Sequence, residues 1–282
     1  MPAFDTPEPI SLRIDVGAVG DVRITAEDRA DTVVEVRPTD ETDASDVKAA
    51  EQTTVGFADG VLTIRTPKPR AMGFSRKTHS VDLTISLPSG SRLRGEAPVA
   101  DLRCTGRLGE CFFKTSTGHL QVDRTGPLRL RTSAGHVTVG RVDGDAEVAT
   151  STGRIRVGQV DGALTVKNSN GNTDIGRVTG DLQIRSSNGD IAVDHVLGSR
   201  TDAETSNGGI RLGEVTGDAV VLKTANGDLE IGIGAGRPAK LELSTGYGRV
   251  HNMLESTGES PGEGITVRGH TAFGDITLLR AS

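Results

Sequence analysis

Apolar and polar residues alternate along much of this chain, and after residue 100 the alternating runs return at a nearly fixed interval. In one unit the apolar positions are Leu182 and Ile184, then Ile191 and Val193, then Val196. The preceding unit places Leu164, Val166, Ile175 and Val178 at the same offsets, with Thr173 in the remaining column. The unit before that supplies Ala146, Val148, Ile155, Val157 and Val160. A period of two marks a strand with one buried face, because successive side chains leave the pleat on opposite sides. Inward columns held at constant offset predict short strands stacked on one repeat.

Two kinds of turn punctuate the runs. The first reads Ser116-Thr117-Gly118, Ser133-Ala134-Gly135, Ser151-Thr152-Gly153 and Ser169-Asn170-Gly171. It continues through Ser187-Asn188-Gly189, Ser206-Asn207-Gly208, Ala225-Asn226-Gly227 and Ser244-Thr245-Gly246. Its glycines are spaced by 17, 18, 18, 18, 19, 19 and 19 residues. The second reads Gly140-Arg-Val-Asp-Gly144, Gly158-Gln-Val-Asp-Gly162, Gly176-Arg-Val-Thr-Gly180 and Gly213-Glu-Val-Thr-Gly217. Gly171, Gly189 and Gly208 are expected at positive φ, which glycine adopts without a Cβ clash.

An antiparallel meander would use each Ser-Asn-Gly as a hairpin turn. A parallel solenoid would stack each residue on its equivalent about 4.8 Å away. Thr115, Thr132, Thr150, Asn168, Ser186, Thr205 and Thr224, read as outward turn residues, favour the solenoid, since ladders of like polar side chains need direct stacking. The predicted fold is all-β: a parallel β-solenoid, or β-helix, of roughly 18-residue coils, right-handed by the default for parallel crossovers.

Residues 1–100 carry strand-like runs outside the register, at 10–14, 22–25, 33–37 and 61–65. They also hold an Asp59-Gly60 hairpin turn and a short helix over 45–52 with Ser45 as N-cap. The division expected is an N-terminal β-rich cap over 1–100, solenoid repeats over 101–246 and a C-terminal cap over 247–282. The last of these opens with a polar loop over 253–264. Caps are expected because a bare coil exposes unpaired strand edges, and partner binding then falls to the lateral faces.

Composition narrows the core. Aromatics make up 2% of the 282 residues, with no Trp, one Tyr and six Phe beside 37 Gly. Val, Ile and Leu must line the interior where larger proteins use rings. The formal net charge of −6 has its signs interspersed, so nucleic acid, which asks for a clustered basic surface and stacking aromatics, is not an expected partner. No run reaches the roughly 20 apolar residues that cross a bilayer as a helix, and no transmembrane segment is expected. Met1-Pro2-Ala3-Phe4-Asp5 has neither the basic region nor the apolar stretch of a secretory signal. The expected location is cytoplasmic.

Gly-x-Ser-x-Gly, His-Glu-x-x-His and Walker sequences do not occur. The Gly-rich turns do not open a helix, as phosphate sites do. Asp190 and Asp228 share a column with Arg154, Asn172 and Gly209, which does not describe a calcium ladder. His119 and His136 occupy equivalent positions on neighbouring coils, where stacked rings could share a metal; no third ligand is evident, and exposed turn residues are the simpler reading. Cys104 and Cys111 are read as small apolar residues, Cys111 on an inward position. Residues 68–79 concentrate positive charge around Lys68, Arg70, Arg76 and Lys77, a loop that could meet an acidic surface or simply be solvated. No catalytic, cofactor-binding or metal-binding residue is expected, and no cofactor.

Pro9-Ile10-Ser11-Leu12-Arg13, Val34-Glu-Val-Arg-Pro38, Leu87-Pro-Ser-Gly-Ser-Arg-Leu93, the Asn-Gly units and the closing Gly274-Asp-Ile-Thr277 resemble the DUF4097 family. This β-strand repeat family carries the label of candidate adhesin and is common in actinobacteria. The resemblance covers essentially the whole chain. It implies a repetitive β-fold, no known activity, and for some members work at the cell envelope or in its stress responses. The function expected is a non-enzymatic β-repeat scaffold that binds a protein partner or itself. The alternatives are a surface-polymer or glycan adhesin and, more remotely, a polysaccharide-active β-helix enzyme, which would need paired carboxylates in a cleft.

Overall fold

In the computed structural model, which describes residues 1–15, 17, 20–66, 79–254 and 264–281, the apolar columns face each other across parallel sheets. The chain divides into two units, Met1–Gly140 and Arg141–Ser282.

In the C-terminal unit each coil contributes one strand to each of two sheets. Ala146–Thr152, Leu164–Asn170, Leu182–Asn188, Arg200–Glu204 and Ala219–Asn226 succeed one another in the first. Ile155–Val160, Thr173–Val178, Ile191–Val196, Ile210–Val215 and Leu229–Ile233 do so in the second. All neighbours run parallel, which excludes the meander. Leu182 lies beside Leu164 and Ile184 beside Val166, and the inward residues of both rows are buried. The predicted register therefore holds.

The turn glycines also behave as expected, with φ of 131° at Gly171, 127° at Gly189 and 143° at Gly208. The residues before them do not. Thr132, Thr150, Asn168, Thr205 and Thr224 are buried, not outward. They sit at the inside of the corner and cap carbonyls that the turn leaves without a strand partner. Thr205 Oγ1 donates to the Gly189 carbonyl (3.3 Å), Thr224 Oγ1 to that of Gly208 (2.9 Å), and Asn168 Nδ2 to those of Gly153 and Gly171 (3.1 and 2.8 Å).

Chain order is broken at the end of this unit. Ile265–Phe273 pairs with Ala219–Asn226, and Ala239–Tyr247 lies on its far side. Ile276–Arg280 pairs in the same way with Leu229–Ile233, with Val250–Asn252 beyond it. The last coil in sequence is thus the penultimate coil in space. Its inward residues Ile265 and Val267 are buried, and at the inward position of Gly269 a Cβ would stand 3.0 Å from Leu243 Cδ2, so the leucine of the outer coil fills the room that glycine leaves. The expected cap over 247–282 is accordingly replaced by a buried coil and an outermost one. Residues 255–263 of the expected polar loop lie outside the described residues.

The N-terminal unit has the same kind of permutation. Ser11–Asp15 and Gly20–Glu27 form a coil with parallel neighbours on both sides. Arg92–Arg107, a 16-residue strand, serves both sheets on one side, pairing first with Ser11–Asp15 and then with Gly20–Ala26. Val61–Arg65 and Val81–Pro88 flank the other. Parallel coils therefore begin at Ser11, ahead of the predicted boundary at residue 100. The sequence register hides this because the chain leaves the first coil to build a cover and returns on its outside.

That cover is antiparallel. Thr54–Ala58 pairs with Val61–Arg65 through the predicted hairpin, whose Asp59 and Gly60 have φ of 51° and 72°. Asp31–Pro38 pairs with Val81–Pro88, and Ala3–Asp5 with Asp31–Pro38. Phe4 and Phe57 meet across the end at 5.5 Å. The helix spans Ala44–Gln52, and its N-cap is Asp43, whose carboxylate accepts the Ser45 N–H (2.8 Å) in place of the expected Ser45. Buried Asp46 is satisfied by the N–H groups of Ser80 (2.8 Å) and Asp40 (3.3 Å).

Candidate interaction surfaces

Most polar residues singled out by sequence are engaged in holding coils together. After several of the turn glycines, a side-chain acceptor of one coil takes the backbone N–H of the next. His119 N–H donates to Asp101 Oδ1 (2.6 Å) and His136 N–H to His119 Nδ1 (3.0 Å). Gly209 N–H donates to Asp190 Oδ1 (2.9 Å), Asp275 N–H to Asp228 Oδ1 (2.7 Å) and Arg249 N–H to Asp275 Oδ1 (2.8 Å). The imidazoles of His119 and His136 do stack, at 5.0 Å and 19°, but the Nδ1 lone pair of His119 is committed to the backbone. Among the described residues no three His, Cys, Asp or Glu gather as a metal cage needs. Cys104 and Cys111 are buried and unbridged. Burial pushes the Cys104 thiol well up, and the Cys111 thiol up to about 12 with help from Glu110. Both stay protonated, and a protonated thiol is a poor nucleophile. Residues 67–78, most of the basic segment, lie outside the described residues.

A charged surface that the sequence reading missed lies on the outer face of the N-terminal unit. Parallel register aligns Arg13, Arg94, Phe112 and Arg129 in one row. It aligns Asp15, Glu96, Lys114 and Arg131 in the next. Together they line a shallow groove of about 780 Å³. The Arg94 guanidinium lies 5.3 Å from the Phe112 ring centroid, and Lys114 Nζ bonds Glu96 Oε1 at 3.0 Å. These positions are scattered along 120 residues of chain, so only stacking reveals the row.

The second missed surface is the outermost coil of the C-terminal unit. Along one exposed corner Asn188 Nδ2 donates to Asn170 Oδ1 (2.8 Å), Asn207 to Asn188 (2.8 Å) and Asn226 to Asn207 (2.9 Å). The next two residues of that column are Phe273 and Tyr247. Their rings stack at 5.0 Å and 5°, and they are 54% and 73% exposed. The equivalence corrects the eighth turn: Tyr247, beside Phe273, holds the asparagine position, so the turn glycine is Gly248 and not Gly246. The available signal was the Gly246-Tyr247-Gly248 doublet, with the chain's one tyrosine at its centre.

Beyond this coil no described residue closes the stack. Among the described residues no strand pairs with the outer edge of Ala239–Tyr247 or of Val250–Asn252. Leu241 and Leu243 point toward the interior yet are only half-buried, while Val250 is 45% and Met253 64% exposed. Lys240 and Glu242 alternate with them on the outer face. Arg268 Nε donates to Glu242 (2.7 Å), and this contact holds the carboxyl below the usual glutamate range.

The Toastrack DUF4097 family model matches residues 11–277. Among solved structures, a candidate adhesin from Bacteroides fragilis is similar at 15% identity and a TM-score of 0.50, over 75% of this chain and 95% of its own. At that identity the likeness is one of fold. A candidate cell adhesion protein from Clostridium sporogenes matches at 12% identity and TM-score 0.21, over 98% and 97% of the two chains. A candidate adhesin from Parabacteroides distasonis matches at 11% and 0.28, over 99% and 95%. No curated protein matches the sequence.

Proposed function

The chain belongs to the Toastrack DUF4097 family, and on that premise we propose that it is a non-enzymatic β-repeat scaffold that works by binding protein, with a role in cell-envelope processes and a cytoplasmic location. The observation that carries this reading is the outermost coil of the C-terminal unit. A strand edge without a partner offers a row of N–H and C=O groups, which is the chemistry by which proteins add strands to one another. Half-buried Leu241 and Leu243 beneath it and the Phe273–Tyr247 stack beside it supply apolar and aromatic anchors. The lateral faces offer less, since their ladder acceptors are already engaged by backbone.

Replacing Tyr247 with photoreactive benzoylphenylalanine in the native cell tests the reading. A discrete protein adduct is expected at that position and none from an equivalent replacement of Gln183 on a lateral face. Adducts to polysaccharide alone, or turnover of a polysaccharide by the purified chain, would overturn it. Fractionating the same cells checks the location.

One observation favours a second reading, an adhesin-like module for an acidic surface polymer. The Arg13, Arg94 and Arg129 row would face such a polymer with an aromatic ring between the guanidinium groups. Binding of a phosphate-bearing or sulfated polymer should then fall with salt and be lost in Arg94→Glu.

A further inference from the structure

The bare edge poses a question of occupancy: what covers the half-exposed core row of the outermost coil. The row it offers is Ala239, Leu241, Leu243 and Thr245, at the spacing of successive inward strand positions, with Val250 in the opposite sheet. One coil further in, the equivalent residues Ile265, Val267, Thr271 and Ile276 are buried. A good occupant presents the same two strand edges, at the same separation, over the same apolar row. A second copy of this coil meets those conditions by identity.

The geometry points to a closed two-fold dimer of this chain through the Ala239–Tyr247 and Val250–Asn252 edges. The inference rests on the protein-binding reading above and names its partner. Two features favour a second copy. The first is that antiparallel approach about a two-fold centred at Leu241 sets Lys240 of one copy opposite Glu242 of the other, so the exposed charges are self-complementary. The second concerns the other kind of end. In the N-terminal unit, Val61–Arg65 and Val81–Pro88 already carry antiparallel strands, Leu62 and Ile64 are fully buried, and Phe4 meets Phe57 above them. A head-to-tail contact would need a bare core row at that end too, and there is none among the described residues. Association through one kind of end is isologous, and isologous contacts close at two copies.

Light scattering on the purified full-length chain, over a dilution series, is the test. The expected mass is twice that of the chain. Lys240→Glu should weaken dimerisation by about tenfold or more through like charges across the axis, with the thermal melt of the diluted parent retained, because Lys240 is exposed in the single copy. Hydrogen exchange of Ala239–Tyr247 should slow above the dimerisation concentration. A chain that stays monomeric at all concentrations overturns the inference, as does a dimer indifferent to Lys240→Glu. Masses that climb without limit overturn the closed two-fold. A monomer that still yields an adduct to a different protein at position 247 keeps the scaffold reading and sinks self-association alone.

Discussion

A methyl group on Gly189 would stand 2.4 Å from the carbonyl oxygen of Gly171, on a residue whose φ is 127°. Both the close approach of successive coils and the backbone conformation exclude a side chain there. Gly189→Val should cost at least about 2 kcal/mol, whereas Ser187→Ala, exposed in the same turn, should stay within about 0.5 kcal/mol. Denaturant melts of the two variants check the difference, and equal midpoints would remove this account of the turn. Cys104 and Cys111 give a second residue-scale expectation. With both thiols buried and held protonated, neither should react with iodoacetamide at pH 8 in the folded chain, and both should react in guanidinium. Rapid labelling of the native protein would contradict the packing described. The sequence placed Cys111 on an inward position, where it is found, but placed the Thr115 to Thr224 column on the outside. Its error has a physical source. A threonine beside a turn looks solvent-facing until a glycine carbonyl in the adjacent coil is found to need its hydroxyl.

Strand by strand, the inward columns are tightly specified, and two of them carry a misfit. Thr173 stands between Ile155 and Ile191, and Thr201 between Leu182 and Val220. Both threonines are fully buried, and neither hydroxyl has a hydrogen-bond partner. Valine has nearly the same shape, so Thr173→Val and Thr201→Val should each stabilise by about 1 kcal/mol, read as a higher melting temperature. A drop in either would mean that the hydroxyl has a role the packing does not show. Ile184→Asp is the opposite experiment. An unpaired carboxylate between Val166 and Ala203 should destabilise by roughly 4 kcal/mol or more and unfold neighbouring coils with it. A variant that melts with the parent would refute the register. Periodicity made these columns legible because every repeat votes for the same offset. The Arg13, Arg94 and Arg129 row was not legible, since Arg13 and Arg94 sit in the part of the chain where the repeat interval is broken.

On the scale of the chain, each unit ends differently, and this is where sequence reading was weakest. Composition and spacing predict caps at both ends; within residues 1–100 an antiparallel cover lies over coils that already begin at Ser11, and at the other end a buried coil and an outermost one without a described partner strand stand in the cap's place. Nothing in the local sequence of residues 265–280 says that they lie inside residues 239–252, because both stretches alternate in the same way. Truncation after Leu254 should therefore do more than trim a tail. It removes a buried layer, and the expected outcome is a lower melting temperature together with increased binding of an apolar dye.

The inversion of coil order also bears on how the chain is made. A stack whose spatial order follows its sequence can grow coil upon coil as the chain leaves the ribosome. Here residues 239–252 emerge while their seat, Ile265–Phe273 and Ile276–Arg280, is not yet synthesised. Residues 265–280 must slip between a finished stack and a waiting strand pair. The surface that this reading assigns to partner binding is therefore assembled only once residues 265–280 have been made, so that a chain still short of them cannot dimerise through it.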